Sequence, residues 1–195
     1  MKIKSLIILG VAFAMAACGG KSTKSAERDR ADAAAEVAAV VDVDMLLSDG
    51  EELVGQQVAV DGICTHICTH GGRKMFLMGS DDSKTIRIEA AELGSFDQKC
   101  MNSIVKVTGT LREERIDEAY LKQWEEQVAS NTAEEHGDEG EGGCSTEKAA
   151  RGETGNTVEQ RIADFRTKIA VRKAAEGKEY LSFYYVEAQH YEIVE

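Results

Sequence analysis

The sequence predicts a mainly β domain of the α+β class, with five strands and a helical hairpin inserted between the fourth and fifth. Three observations carry that expectation. Short runs with apolar residues two apart recur along the chain, each bounded by Gly, Asp or Ser, the pattern of half-buried strands. Their order is three strands, a helical segment, then two more strands. Between the last two, apolar residues instead recur at helical spacing.

The elements follow in order from Val40, where the globular part is expected to begin. Met45 to Val54 reads as a helical turn. Val58-Ala59-Val60-Asp61-Gly62 is the first strand, with valines two apart. Lys74 to Met78 is a compact apolar second strand, set off by Gly71-Gly72 and by Gly79-Ser80-Asp81-Asp82. Thr85 to Glu89 alternates cleanly, with Ile86 and Ile88 facing inward. Glu92 to Met101 is expected to form a short helix. Ile104 to Gly109 alternates again, and Tyr180 to Val194 supplies a long aromatic last strand. The chain has no proline, so Gly, Asn, Asp and Ser must make its turns.

The insertion spans about residues 115–177. Ile116, Tyr120, Trp124 and Val128 form one stripe, and Val158, Ile162, Phe165 and Ile169 a second. Asn156 followed by Glu159 reads as a capped start of the second helix. The two stripes are expected to pack together as an antiparallel hairpin or against the strands. The tip, Glu134 to Cys144, is acidic and Gly-rich, the composition of a solvated loop.

Two segments share a form, Val58-x-Val60-x-Gly62 and Val105-x-Val107-x-Gly109. With the strand order, they make residues 40–112 and 179–195 resemble the OB-fold, whose first and fourth strands bend at such a glycine. The resemblance implies a five-stranded Greek-key barrel. It also implies that the loop joining the first two strands and the loop joining the last two flank a ligand face. The helical hairpin would then sit beside the first loop.

The N-terminus has a separate character. Lys2 and Lys4 precede an uncharged apolar run, Ser5 to Ala17, too short to span a bilayer comfortably. Met15-Ala16-Ala17-Cys18 resembles the lipobox of bacterial lipoproteins, with Met15 where leucine is usual. The resemblance implies cleavage before Cys18 and acylation of that cysteine, which would anchor the chain to a membrane facing the periplasm or the cell exterior. Residues 1–17 are thus expected to be a signal peptide, 18–39 a flexible tether and 40–195 the folded domain. Removing Lys2 and Lys4 leaves 21 basic against 35 acidic residues, a formal charge of −14. Such a domain repels nucleic acid and attracts cations or basic partners.

The most chemical stretch is Cys64-Thr65-His66-Ile67-Cys68-Thr69-His70. Cys and His take turns at every second position, so a straight strand would place all four on one face. A bulge at Gly62 is expected to turn Ile63 and Ile67 inward and the Cys/His row outward; without one, Cys64 would continue the inward register of Val58 and Val60, and the paired isoleucines favour the bulge. Thiolate and imidazole suit zinc or copper. Residues two apart on a strand are about 6.5–7 Å apart, so four in a row cannot hold one ion unless the hairpin tip curls. Two or three of Cys64, His66, Cys68 and His70 with a partner from elsewhere is the expected site; Cys144, His136, Cys100 and His190 are the available partners. A structural disulfide with bystander histidines, serving an interaction module of the envelope, stays open beside it, as does thiol redox chemistry. No phosphate loop, dinucleotide fingerprint or nucleophile triad is present, so a non-enzymatic binding role is expected, with the hairpin as a possible surface for an envelope partner.

Overall fold

The structure is a computed structural model that describes residues 40–69, 71–130 and 144–194. The signal peptide, Cys18, the tether, His70 and His136 lie outside the described residues.

The strands are β1 (Val40–Asp42), β2 (Gln57–Ile67), β3 (Lys74–Met78), β4 (Thr85–Glu89), β5 (Ile104–Asp117) and β6 (Tyr180–Val194). Helices α1 (Val43–Ser48) and α2 (Gly50–Leu53) precede β2, while α3 (Glu118–Ala129), α4 (Ser145–Ala150) and α5 (Val158–Glu176) lie between β5 and β6. β2 pairs antiparallel with β3 on one side and with β5 on the other. β6 enters between β4, to which it is parallel, and β5, to which it is antiparallel. The ring β2-β3-β4-β6-β5-β2 is therefore closed, a five-stranded OB-like barrel. Closure removes the unpaired edges that an open sheet would expose.

Two departures concern the connections. β1, which lies parallel beside Ala59–Asp61 of β2, is too short for alternation to reveal. The helix expected over Glu92–Met101 is instead two 3₁₀ turns, Ala91–Leu93 and Gln98–Cys100, separated by Gly94 at φ 79°. A left-handed glycine ends the first turn without steric cost.

The barrel interior is filled from every strand: Val58, Val60 and Cys64 from β2, Met75 and Leu77 from β3, Ile86 and Ile88 from β4, Val105, Val107 and Leu111 from β5, and Val186 from β6. Val43 and Leu46 of α1 complete it. α1 is held by Asp42, whose carboxylate accepts from the Met45 backbone N–H at 2.7 Å, satisfying one of the free donors of a helix start.

Both glycines of the repeated Val-x-Val-x-Gly form have a steric reason. A Cβ at Gly62 would approach the Met78 carbonyl oxygen to 2.8 Å, and one at Gly109 would strike the Glu187 carbonyl oxygen. Gly109 adjoins a register shift in the β5–β6 pairing, where Gln189 is the extra residue. The glycines let neighbouring backbones close in at the bends of a small barrel.

The insertion builds a second core. Ile116, Leu121, Ile162 and Phe165 are buried together, with Trp124, Leu181 and Phe183 packed around them. Leu121 takes the inward position, and Tyr120 of the expected stripe is exposed. The start of α5 falls one residue later than Asn156: Thr157 caps it, and Gln160 returns the bond in a capping box. Arg166 bridges Glu118 and Glu125, tying α5 to α3. α4 is a third piece, held on the outer face of the barrel by the contacts described next.

Candidate metal centre

The site begins with a bulge in β2. Cys64 pairs with Leu77, but the next register partner is His66 with Phe76, so Thr65 is the extra residue. This corrects the expected bulge at Gly62. Cys64 continues the inward register of Val58 and Val60 and is fully buried, while Ile63 is 41% exposed. The insertion of Thr65 lets Ile67, three residues after Cys64, also face the core. His66 and Cys68 are left together on the outer side.

The tip of the hairpin then curls. The Cys68 N–H donates to the Lys74 carbonyl at 2.9 Å, and the Gly72 N–H donates to the Cys68 carbonyl at 3.1 Å. Gly71 and Gly72 take φ of 78° and 62°, which only glycine adopts freely in succession. Turning the chain at Cys68 draws its sulfur back toward His66, the geometry a straight strand would forbid.

The third member comes from the insertion. Cys144 immediately precedes α4, and its Sγ lies 3.3 Å from His66 Nε2. The ligand atoms of His66, Cys68 and Cys144 all lie within 4.8 Å of one another. Tetrahedral zinc, with bonds of about 2.3 Å to sulfur and 2.0–2.1 Å to nitrogen, places its donors roughly 3.5–3.8 Å apart. The triad therefore needs only a small contraction to enclose an ion. Three protein ligands leave one coordination position for water or a further donor.

Of the residues named from the sequence, the structure brings together His66, Cys68 and Cys144. Cys64 belongs to the barrel core and points away from them. Cys100 is also fully buried, on the 3₁₀ segment beside Cys64. That segment is pinned by the Asn102 N–H donating to the Cys64 carbonyl and the Cys64 N–H donating to the Ser103 carbonyl. His190 lies opposite Thr108 on β6, exposed. His70 lies outside the described residues.

The electrostatics are set by burial and by α4. Burial, reinforced by the neighbouring Cys144, pushes the Cys68 thiol well above its ordinary value. Burial and then Cys100 push the Cys64 thiol up to about 11. α4 is docked by ions that sequence reading did not find. Glu147 accepts from Lys74 Nζ at 2.9 Å and from Arg87 Nη1 at 2.7 Å, and pairs with Arg151 at 3.3 Å. Glu114 of β5 accepts from Arg87 at 3.0 Å and from Arg151 at 2.7 Å. Burial alone would raise the Glu147 carboxyl, but the Lys74 bond and the charges of Arg151, Lys74 and Arg87 outweigh it and hold it below the usual carboxylate value. The only sequence signal was a charged Arg87 in mid-strand; its partners are 27 and 60 residues away.

His66 rests against Phe76, with ring centroids 5.8 Å apart. Phe76 is itself fully buried although it lies on the outer side of β3, and with Arg87, Glu147, Arg151 and Phe183 it lines a cavity between that face and α4. The outer surface of β3 and β4 corresponds to the strand face on which OB-folds place ligands, and here α4 of the insertion is docked over it through Glu147.

No family model matches the chain, and no curated protein matches it. Among solved structures, a partial likeness is found to a chain described as an aspartyl-tRNA synthetase from Leishmania major Friedlin. It has 18% identity, covers 43% of this chain and 17% of that one, and has a TM-score of 0.30. The strand order, rather than that overlay, defines the barrel.

Proposed function

We propose that this chain is a lipid-anchored, extracytoplasmic binding protein that coordinates a transition metal, zinc or copper, through His66, Cys68 and Cys144. The convergence of these three ligand atoms to within 4.8 Å carries the reading. The triad unites the barrel hairpin with the insertion, elements 76 residues apart in sequence at Cys68 and Cys144. Two thiolates and an imidazole are the donor set of borderline-soft ions, and a domain of this negative charge draws cations toward it. The anchor is supported by the Met15-Ala16-Ala17-Cys18 sequence. Nucleic acid is disfavoured by charge and by the covering of the outer face of β3 and β4.

The test is metal content of the chain purified from bacterial membranes in detergent without chelator. About one zinc or copper per chain is expected, lost in His66→Ala and Cys68→Ser and retained in His190→Ala. Metal content that is negligible, or unchanged in both site variants, would refute the reading. Cys18→Ser is expected to abolish labelling by radioactive palmitate and to release the chain from the membrane fraction.

A further inference from the structure

The four cysteines among the described residues divide sharply by environment. Cys64 and Cys100 are fully buried in the barrel core, whereas Cys68 and Cys144 are partly exposed at the site. The Cys68 and Cys144 sulfurs are at most 4.8 Å apart. Cys68 stands where β2 gives way to the turn, and Cys144 stands just before α4. Two partly exposed thiols within 4.8 Å of one another, on different elements, are placed to become a disulfide, which needs sulfurs that can meet and an oxidant that can reach them.

Resting on the metal reading above, we infer that Cys68 and Cys144 are a reversible dithiol whose oxidation to a disulfide expels the metal ion, so that the site binds metal only when reduced. The oxidant is a disulfide compound. One site thiolate attacks a sulfur of that compound, forming a mixed disulfide and releasing its first thiol. The second site thiolate then attacks the protein sulfur of the mixed disulfide, forming the Cys68–Cys144 bond and releasing the second thiol. Two electrons pass from the protein to the oxidant, and solvent supplies the two protons that the released thiolates take up. A disulfide sulfur carries no thiolate charge, and His66 alone does not retain the ion.

Both states tie α4 to the hairpin, by coordination when reduced and covalently when oxidised. The ionic contacts of Glu147 remain available in either, so the change is confined to the ion. Cys64 and Cys100 stay out of the exchange because a dissolved disulfide does not reach their sulfurs.

The experiment uses the full chain in two steps. Reduced, metal-free protein is first titrated with zinc against a chromophoric chelator. The zinc-loaded protein is then treated with oxidised glutathione, zinc release is followed with the same indicator, and peptides are mapped without reduction. The inference expects one zinc released for each disulfide formed, a linked peptide joining Cys68 to Cys144, and recovery of zinc binding after dithiothreitol. Cys144→Ser is expected to give glutathione bound at Cys68 and no internal bond. If zinc binds but oxidation leaves it in place, or links Cys64 to Cys100 instead, the redox inference is overturned and the metal reading stands. If no zinc binds in the first step, both are overturned.

Discussion

Replacing Glu147 by Gln tests what the ionic docking of α4 contributes to the site, because Glu147 holds the helix that Cys144 precedes. Its charge also raises the Cys68 thiol, so losing it eases deprotonation there and works against the loss from docking. The wild-type carboxylate takes bonds from Lys74 at 2.9 Å and Arg87 at 2.7 Å, with Arg151 at 3.3 Å. A fully exposed pair would be worth about 0–1 kcal/mol, and a charge-assisted hydrogen bond out of solvent about 1.5–3 kcal/mol. The Arg87 and Glu147 side chains are 10% and 19% exposed, so the upper range applies. Gln keeps one neutral bond but loses the charge, giving a loss of about 2 kcal/mol in docking. If ion binding must draw α4 onto the barrel, that loss is a decrease in zinc affinity of up to about 30-fold. Competition titration against a chelator reads it directly. Glu118→Gln, which loosens the α3–α5 tie instead, is the control and is expected to leave affinity within about twofold. Equal affinities for Glu147→Gln and wild type would show that Cys144 is placed without the ionic network, and the argument from α4 would fail.

Three further outcomes are expected. Because burial and Cys144 raise the Cys68 thiol, the metal-free site holds that proton at neutral pH and must release it on binding. Zinc affinity should therefore fall as pH falls, by about tenfold per unit for each proton displaced, and a flat profile in the same titration at several pH values would refute thiolate ligation by Cys68. Phe165→Ala removes a fully buried ring from the core of the insertion and should cost about 3–5 kcal/mol in urea unfolding; a change below about 1 kcal/mol would mean that the two helices are not packed as described. Gly109→Ala drives a methyl into the Glu187 carbonyl and should lower the melting temperature by several degrees, about 2 kcal/mol or more for a clash with backbone, whereas Gly55→Ala, at φ 83° with open space around it, should show only the milder strain of a left-handed alanine.

What the sequence revealed follows from how each element is stabilised. β3, β4 and β6 begin and end where the sequence places them, β3 as a compact apolar run between glycine turns, β4 by the alternation of Ile86 and Ile88, and β6 as a long aromatic run. β2 was legible only in its first half. Its inward set, Val58, Val60, Cys64 and Ile67, fits no unbroken period of two, and Ile63 and Ile67 mimic one shared face. Taking the two isoleucines as the inward pair put the bulge at Gly62, whereas Cys64, packing as a small apolar residue, takes the inward position instead of Ile63. α4 had no signal at all. Ser145 to Ala150 carries no apolar stripe, and the helix is held by long-range ion pairs that residue order does not disclose.

The site is consequently built in two unequal halves. His66 and Cys68 are fixed by the barrel: the bulge at Thr65, the turn at Gly71–Gly72 and the buried Phe76 determine where they point. Cys144 arrives on a short helix whose attachment depends on Glu147 and its partners. A metal ion held by all three must favour the docked position of α4, and by reciprocity anything that docks α4 must favour the ion. The same helix covers the face of β3 and β4 on which a barrel of this topology would present a ligand. Coordination at one end of α4 and occlusion of that face are therefore linked through one helix, and weakening its attachment weakens both.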